Sequence, residues 1–404
     1  MSRSRTETIL ALGVVAVGLL LAFIVGLFTY MNVTATPLHP DRRKVPSVAR
    51  AAPPPEWAAA VEEGRQAARA ALVDQNLPGL SVAVGAGGRI LWAEGFGYAD
   101  LERKTSVTPE TKFRIAGVSI PLTSVAVGVL LDKRKLDLDE PIQAYVPAFP
   151  KKQWPVTLRE LMGDVAGIRN DAGDEEPLSI RCERTTDGLR RFADRSLLFE
   201  PGTRHRESSY GWILVSAAVE AAADEPFSTF MRAQIFEPLG MDSTRPEAAS
   251  EPIPDRATFY FPRFAGDPRY GPDLAREGDQ SCFAGAAGYL STPADLVRFG
   301  LGIDDGKLLQ RSTLERLQTP QRLASGQQTE YGLGWKLETV PLGGTPQRTA
   351  GHGTKQDFIG GTASFMTFPE RGLVVAVASN ISFANTHDIA VKIAQAFAAA
   401  GARH

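Results

Sequence analysis

Three short stretches of this chain carry side chains able to cooperate in nucleophilic chemistry. Ser119 stands near the start of an apolar helical run. Glu207-Ser208-Ser209 follows a Pro201-Gly202 turn, and His352-Gly353-Thr354 lies in a late strand-rich region. A serine hydroxyl becomes a nucleophile only when a base takes its proton and a third group orients that base. Ser208 or Ser209 with Glu207 and His352 is one such set, and Ser119 is another candidate. Each serine also has a plain structural role, as a helix cap or turn hydroxyl. His352 is equally readable as a packed strand histidine or as a ligand contact. Metal chemistry has no such pattern: the five histidines are scattered and none has ligand spacing.

These side chains need a scaffold, and the sequence describes one. A helix is expected from about residue 56 to 74, with Val61, Ala68 and Leu72 facing inward. LPGLSVAVGAGGRILWAEGFG then reads as two strands joined by a glycine-rich turn. From about 116 to 317 the pattern is mostly helical, broken by Pro-Gly and Asp-Gly turns. Strands are expected at 331–340, 362–368 and 373–378, the last two joined by Pro-Glu-Arg-Gly, and a closing helix over 386–400. That order implies an α+β fold. Its antiparallel sheet pairs its first strands with its last, terminal helices flank it, and a mostly helical lobe is inserted. A small-molecule site is expected in the cleft between sheet and lobe.

The N-terminal end is different in kind. Residues 1–8 form a short tail, and Ile9 to Met31 is a charge-free apolar run of 23 residues, spanning about 35 Å as a helix. It reads as a single uncleaved membrane anchor. Arg3 and Arg5 before it favour a cytoplasmic N-terminus and a periplasmic or extracytoplasmic globular domain; Arg42, Arg43 and Lys44 after it weaken that argument. Gly18, Ala22 and Gly26 form a small-residue stripe that would let two such helices self-associate, although small residues are common in membrane helices anyway. Residues 32–55, rich in Pro and Ala and ending in Pro53-Pro54-Pro55, read as an extended tether holding the domain, 56–404, off the membrane. Net charge is −2 with a pI near 6.3, so nothing points to a nucleic-acid partner. Cys182 and Cys282 exclude a disulfide-rich scaffold; one bridge is possible, and two buried free thiols are the simpler expectation.

Local sequences GFGYADLE, TKFRIAGVS, KLDLDEPIQAYVPAFP, FEPGTRHRESSYGWILVSAAVE, IFEPLGMDST, AAGYLSTPADLVRFG and YGLGW, with the late GHGT, resemble in order and spacing the serine β-lactamase and penicillin-binding-protein superfamily. The likeness extends to its class C-like esterases and mitochondrial β-lactamase-like protein. That resemblance implies a serine at a helix start, a lysine three residues on to take its proton, a tyrosine proton relay and a Lys-Thr-Gly or His-x-Gly strand walling the groove. Here Gly117 stands at the serine position, Ile120 at the lysine and Glu207 at the tyrosine. His352-Gly353-Thr354 keeps only half of the strand motif. Gly163-Asp164-Val165-Ala166-Gly167 replaces a usual Ser-His-Thr-Ser-Gly, without an assignable consequence. Ser119, two residues past Gly117, points away from that helix face.

The resulting expectation is a membrane-anchored, catalytically inactive member of that superfamily. It would bind a small molecule, a cell-wall peptide or a partner through the old cleft, without metal or cofactor. Ile120 would fill the space of a lysine stem, and Glu207 would pair with Arg204, Arg206 or a cation across the cleft. Two alternatives stay open: an active serine hydrolase (esterase, D,D-peptidase or β-lactamase-like) with displaced catalytic residues, and an oligomeric scaffold.

Overall fold

A computed structural model describes residues 2–170, 181–247, 252–264, 266–353 and 360–401. Its centre is an antiparallel sheet built from both ends of the domain. The N-terminal part supplies β1 (Ser47–Ala49), β2 (Gly79–Ala86) and β3 (Arg89–Asp100). The hairpin β4 (Tyr260–Pro262) and β5 (Pro272–Leu274) lies apart from this sheet. The C-terminal part supplies β6 (Lys336–Leu342), β7 (Thr345–Gly353), β8 (Thr362–Phe368) and β9 (Leu373–Ser379). The order is β1–β3–β2–β9–β8–β7–β6, with Thr105–Ser106 pairing onto β3. First and last strands meet as expected, in a register running from Leu373↔Ala86 to Ser379↔Leu80. Strands β8 and β9 are buried along their whole length, which is why their sequences are apolar without alternation. Among the long strands of this sheet, β7 is the one whose own residues do not signal it. Its TPQRTAGHG has a proline, two glycines and little β-branching, and its partners β6 and β8 impose the extended form.

One face of the sheet is covered by α2 (Ala58–Asp74) and the closing helix, here α8 (Thr386–Gly401). Helix α2 turns Val61, Gly64, Ala68 and Leu72 inward. Gly64 has a packing reason: a Cβ there would sit 2.8 Å from the Trp92 ring. The other face carries α6 (Pro293–Asp304) and the inserted lobe, built around α3 (Ser119–Asp132), the short α4 (Leu158–Met162) and α5 (Ser209–Ala223), with α7 (Arg311–Leu317) beside α3. Helices α3 and α5 are buried nearly all round, consistent with their uniformly apolar sequences. The lobe is less purely helical than expected, because Phe113–Arg114, Arg245–Pro246 and Tyr289–Ser291 form a small second sheet.

Two expectations are overturned. Cys182 and Cys282 are not free thiols; they form a disulfide, with Cα atoms 4.9 Å apart. The pairing of distant segments that brings them together includes a Cys182 N–H bond to Ser281 Oγ at 2.8 Å. Gly188 helps, since a Cβ there would lie 2.7 Å from the Cys282 carbonyl.

Nor do residues 32–55 behave throughout as a tether. Asn76 binds the Leu38 N–H at 2.7 Å and the Thr36 carbonyl at 3.1 Å. His39 and Val45 are buried, and β1 pairs with β3. The stretch supplies polar partners and apolar side chains that the domain surface accepts, so it docks instead of extending. The apolar helix α1 (Ser2–Thr34) precedes it, with Ile9–Thr34 long and apolar enough to cross a membrane. No heavy atom lies within 4 Å of a Cβ built at Gly18 or Gly26, so the small-residue stripe with Ala22 is open.

Candidate functional site

The turn Ala116–Val118 leads into α3 and packs against β7 and β8. Ala116 is held at φ 49°, a left-handed conformation unusual for a residue with a Cβ. The turn is fixed from two sides: Ile115 N–H bonds the Tyr289 carbonyl at 3.2 Å, and Val118 N–H the Ile115 carbonyl at 3.0 Å. A strained turn that presents position 117 to the sheet is therefore present, and the residue presented is a buried glycine. One helical turn on, Ile120 is 7% exposed and belongs to the apolar core. Ser119 is fully buried, and its hydroxyl finds no hydrogen-bond partner among the described residues. No base is therefore seen in contact with it.

Of the second stretch, Glu207 is exposed in the non-helical run ahead of α5. No ion pair of Glu207 with Arg204 or Arg206 appears among the described contacts. Ser208 is the N-cap of α5: its hydroxyl accepts from Gly211 N–H at 3.1 Å and donates to the Arg169 carbonyl at 2.9 Å. Both capacities of that hydroxyl are in use for structure. Ser209 starts the helix, and its N–H bonds Asn170 Oδ1 at 3.1 Å. His352 and Gly353 lie on β7, opposite Phe365 and Ser364. Thr354 lies outside the described residues. The proposed set of Ser208 or Ser209 with Glu207 and His352 is thus not assembled as nucleophile, base and orienter; Glu207 and His352 do share a neighbourhood, since the carboxylate favours a charge on the imidazole.

The structure joins His352 instead to two residues that sequence reasoning left without a role. His352 Nε2 lies 3.2 Å from the Tyr331 hydroxyl, and Tyr331 in turn faces the carboxyl group of Asp164. Asp164 sits at φ 54° just past α4, and its Oδ1 accepts the Ser208 N–H at 3.2 Å. Its backbone carbonyl takes the Arg206 N–H at 2.7 Å. Trp212 turns its indole toward the same carboxyl. Neither neighbour closes a full hydrogen bond to Oδ2. That atom, Trp212 Nε1 and His352 Nδ1 are all buried without a partner among the described residues.

Burial sets the protonation of this group. It raises the Asp164 pKa well above the ordinary carboxylate range, and the nearby Glu207 charge raises it further. Burial likewise raises Tyr331, and it lowers His352 to about 4, leaving a neutral imidazole near pH 7. The site is a buried floor of three groups biased toward their uncharged forms. It can donate to and accept from a polar ligand, but it places no charged base on a serine hydroxyl. The signal for Asp164 was an acidic residue inside an otherwise apolar GDVAG. For Tyr331 there was none beyond YGLGW.

Comparison with known proteins agrees with this geometry at the level of fold and family. The family model described as Beta-lactamase matches residues 58–400. The mitochondrial serine β-lactamase-like protein LACTB of Mus musculus is 26% identical, over 84% of this chain and 80% of its own length. Penicillin-binding protein 4* of Bacillus subtilis is 25% identical over 63% of this chain and 58% of its own length. Among solved structures, D-amino acid amidase from Ochrobactrum anthropi superposes with a TM-score of 0.69 at 24% identity, covering 85% of this chain and all (100%) of that one.

Proposed function

This chain belongs to the β-lactamase family, and on that footing we propose that it is a membrane-anchored member whose cleft binds a ligand without performing acyl transfer. The observation that carries the reading is the state of positions 117 and 120. One has no side chain, and the other holds an isoleucine packed into apolar core at 7% exposure. Removing a serine nucleophile alone costs a hydrolase a factor on the order of 10⁶ in turnover. Of the candidate serines, Ser119 is sealed from solvent, the Ser208 hydroxyl is committed to a helix cap, and no side-chain base contacts the Ser209 hydroxyl among the described residues.

The ligand class is a small polar acyl compound or a cell-wall peptide. Asp164, Tyr331 and His352 would meet it with donors and acceptors. An extracytoplasmic domain is supported by the disulfide, since cytosolic thiols are kept reduced, and by Arg3 and Arg5 ahead of the anchor.

The test is covalent labelling. A fragment of residues 35–404 is incubated with a fluorescent penicillin and a fluorophosphonate, then weighed intact. Native protein is expected to gain no adduct. The triple variant Gly117→Ser, Ile120→Lys, Glu207→Tyr is the control for an intact groove. A stoichiometric adduct on the native fragment would overturn the proposal, and the labelled peptide would name a displaced nucleophile.

A further inference from the structure

The end of α1 is not separated from the domain by a flexible spacer. Its last residue, Thr34, offers its carbonyl to Arg263 Nη1 at 3.2 Å. One turn earlier, Tyr30 meets Phe264 edge-on with ring centroids 6.2 Å apart. The helix also contacts the turn Pro268–Tyr270, and Asn76 pins the chain just beyond it. The orientation of the domain relative to the helix is therefore set by direct contact.

That contact fixes a depth. The apolar run 9–31 is about 35 Å long, while a bilayer's hydrocarbon core is about 30 Å thick, so Tyr30 falls at the boundary layer where aromatic rings concentrate. Phe264, touching Tyr30, shares that level. Around it the surface is aromatic: Phe264 lies 6.5 Å from Tyr270 and carries the Arg263 guanidinium 5.1 Å above its ring. Phe383, half-buried, packs against Gly266, and it meets Phe261 at 5.5 Å. Leu274 on β5 is 70% exposed, more than any other large apolar side chain described outside α1. Charge on this face is mixed: Arg269 pairs with Asp267 at 2.6 Å, and Asp273, beside Leu274, is exposed. Aromatic rings flanked by an exposed leucine suit the headgroup region of a bilayer, where charged side chains stay in contact with water and headgroups.

We propose that the face centred on Phe264 and Tyr270, flanked by Phe383 and Leu274, lies in the interfacial layer of the membrane that α1 crosses. The domain rests on the bilayer instead of standing away from it. This surface rests on the reading of α1 as a membrane anchor, and the experiment separates the two. Because aromatic and apolar side chains make the contact, zwitterionic lipid suffices for it and raised salt leaves it in place.

Full-length protein is reconstituted into phosphatidylcholine vesicles with an environment-sensitive fluorophore on one introduced cysteine. The native cysteines are bridged and take no label. Three positions are compared: Gly18→Cys in the helix, Leu274→Cys on the face, and Arg311→Cys on α7. The Arg311 side chain is 91% exposed. Nitroxide lipids are expected to quench the Gly18 and Leu274 probes at least about twofold more than the Arg311 probe, since interfacial groups reach some 5–10 Å into the boundary layer. If the Gly18 probe is quenched and the Leu274 probe behaves like Arg311, the anchor stands and the surface proposal fails. If no probe is quenched, the anchor reading fails and takes the surface with it. A Leu274 signal that vanishes at high salt or requires anionic lipid overturns the aromatic basis of the contact.

Discussion

Truncating Ile120 to alanine measures how fully position 120 belongs to the apolar core. Ile120 is 7% exposed and lies in the same apolar cluster as Leu122, Val125 and Leu130. The substitution removes three carbons, each carrying about 0.8 kcal/mol of burial, so the transfer contribution is about 2.4 kcal/mol. The cavity left behind adds about 1 kcal/mol, and the better helix propensity of alanine returns roughly 0.4 kcal/mol. The expected loss is about 3 kcal/mol. For a domain of this size, with a urea slope of about 3 kcal/mol/M, that is a midpoint shift of about 1 M at unchanged slope. The assay is urea unfolding of residues 35–404 followed by tryptophan fluorescence. Leu130→Ala, at 1% exposure on the same helix, calibrates a core position, and Leu198→Ala, at 47%, calibrates a surface one. If Ile120→Ala shifts the midpoint no more than Leu198→Ala does, water already occupies the space around Ile120. The cleft would then be open, and the argument that the lysine position has been absorbed into the core would be wrong.

Three further outcomes are expected. Replacing Cys182 and Cys282 by alanine, which opens a link across a sequence separation of 100 residues, should cost about 2–4 kcal/mol in urea unfolding, and reductant should reproduce the loss in the native chain. A fragment beginning at residue 53 instead of 35 loses buried Val45 and His39 together with β1; its stability should fall by about 3 kcal/mol, with Val45 alone accounting for roughly half. His387→Ala should alter stability in a pH-dependent way. The Glu338 hydrogen bond, at 2.8 Å, raises the His387 pKa above its ordinary 6.5, against burial and the charge of Lys336, and Asp388 supports the rise. The His387 bond in turn lowers Glu338 to about 2, with Lys336 assisting. The histidine's contribution is complete below pH 6.5 and fades as pH climbs through its raised value; the glutamate's is complete above pH 4.5 and fades toward pH 2. Stability curves for the native chain and the variant should therefore lie farthest apart between pH 4.5 and 6.5, by about 1.5 kcal/mol, and a constant gap from pH 4 to 9 would refute the pairing.

The fold was legible wherever a segment's own pattern matched its environment. The β2–β3 hairpin, the buried β8 and β9, and the amphipathic α2 each declare themselves by period or by turn residues. Strand β7 did not, because it is extended through its neighbours' hydrogen bonds and not through its own residue preferences. The docked stretch 36–49 was equally silent. Its attachment depends on single partners such as Asn76, about 40 positions away in sequence, and a proline-rich composition says nothing of them. Two cysteines a hundred residues apart give no spacing from which to infer a bridge.

At the site, loss was easier to see than gain. Gly117 and Ile120 offer neither nucleophile nor base by residue type, and Ser208 proved to be the helix cap that its position before α5 suggested. The partnership of Asp164, Tyr331 and His352 links a post-helix turn, a loop before β6 and strand β7. Only tertiary structure brings those three together.

The buried polar cluster bears on the proposed ligand. A site drifting toward plain core would gain by filling with carbon, as position 120 has done. At Asp164 the chain instead holds a carboxyl in a buried pocket, with one oxygen lacking a partner among the described residues. Trp212 Nε1 and His352 Nδ1 stand in the same condition, and a buried polar atom left unpaired costs about 1–3 kcal/mol. An isoleucine packed into apolar core at position 120 and a polar cluster with unpaired atoms at Asp164 thus stand near one another. Drift toward plain core accounts for the first and not for the second. On the proposed reading, a polar ligand that pairs with Oδ2 or the imidazole on binding accounts for both. Asp164→Asn, which tolerates the left-handed φ of 54° and keeps an oxygen for the Ser208 N–H, therefore separates the two explanations. Unchanged ligand binding by a stably folded variant would favour drift, and lost binding at unchanged stability would show that the carboxyl is kept for recognition.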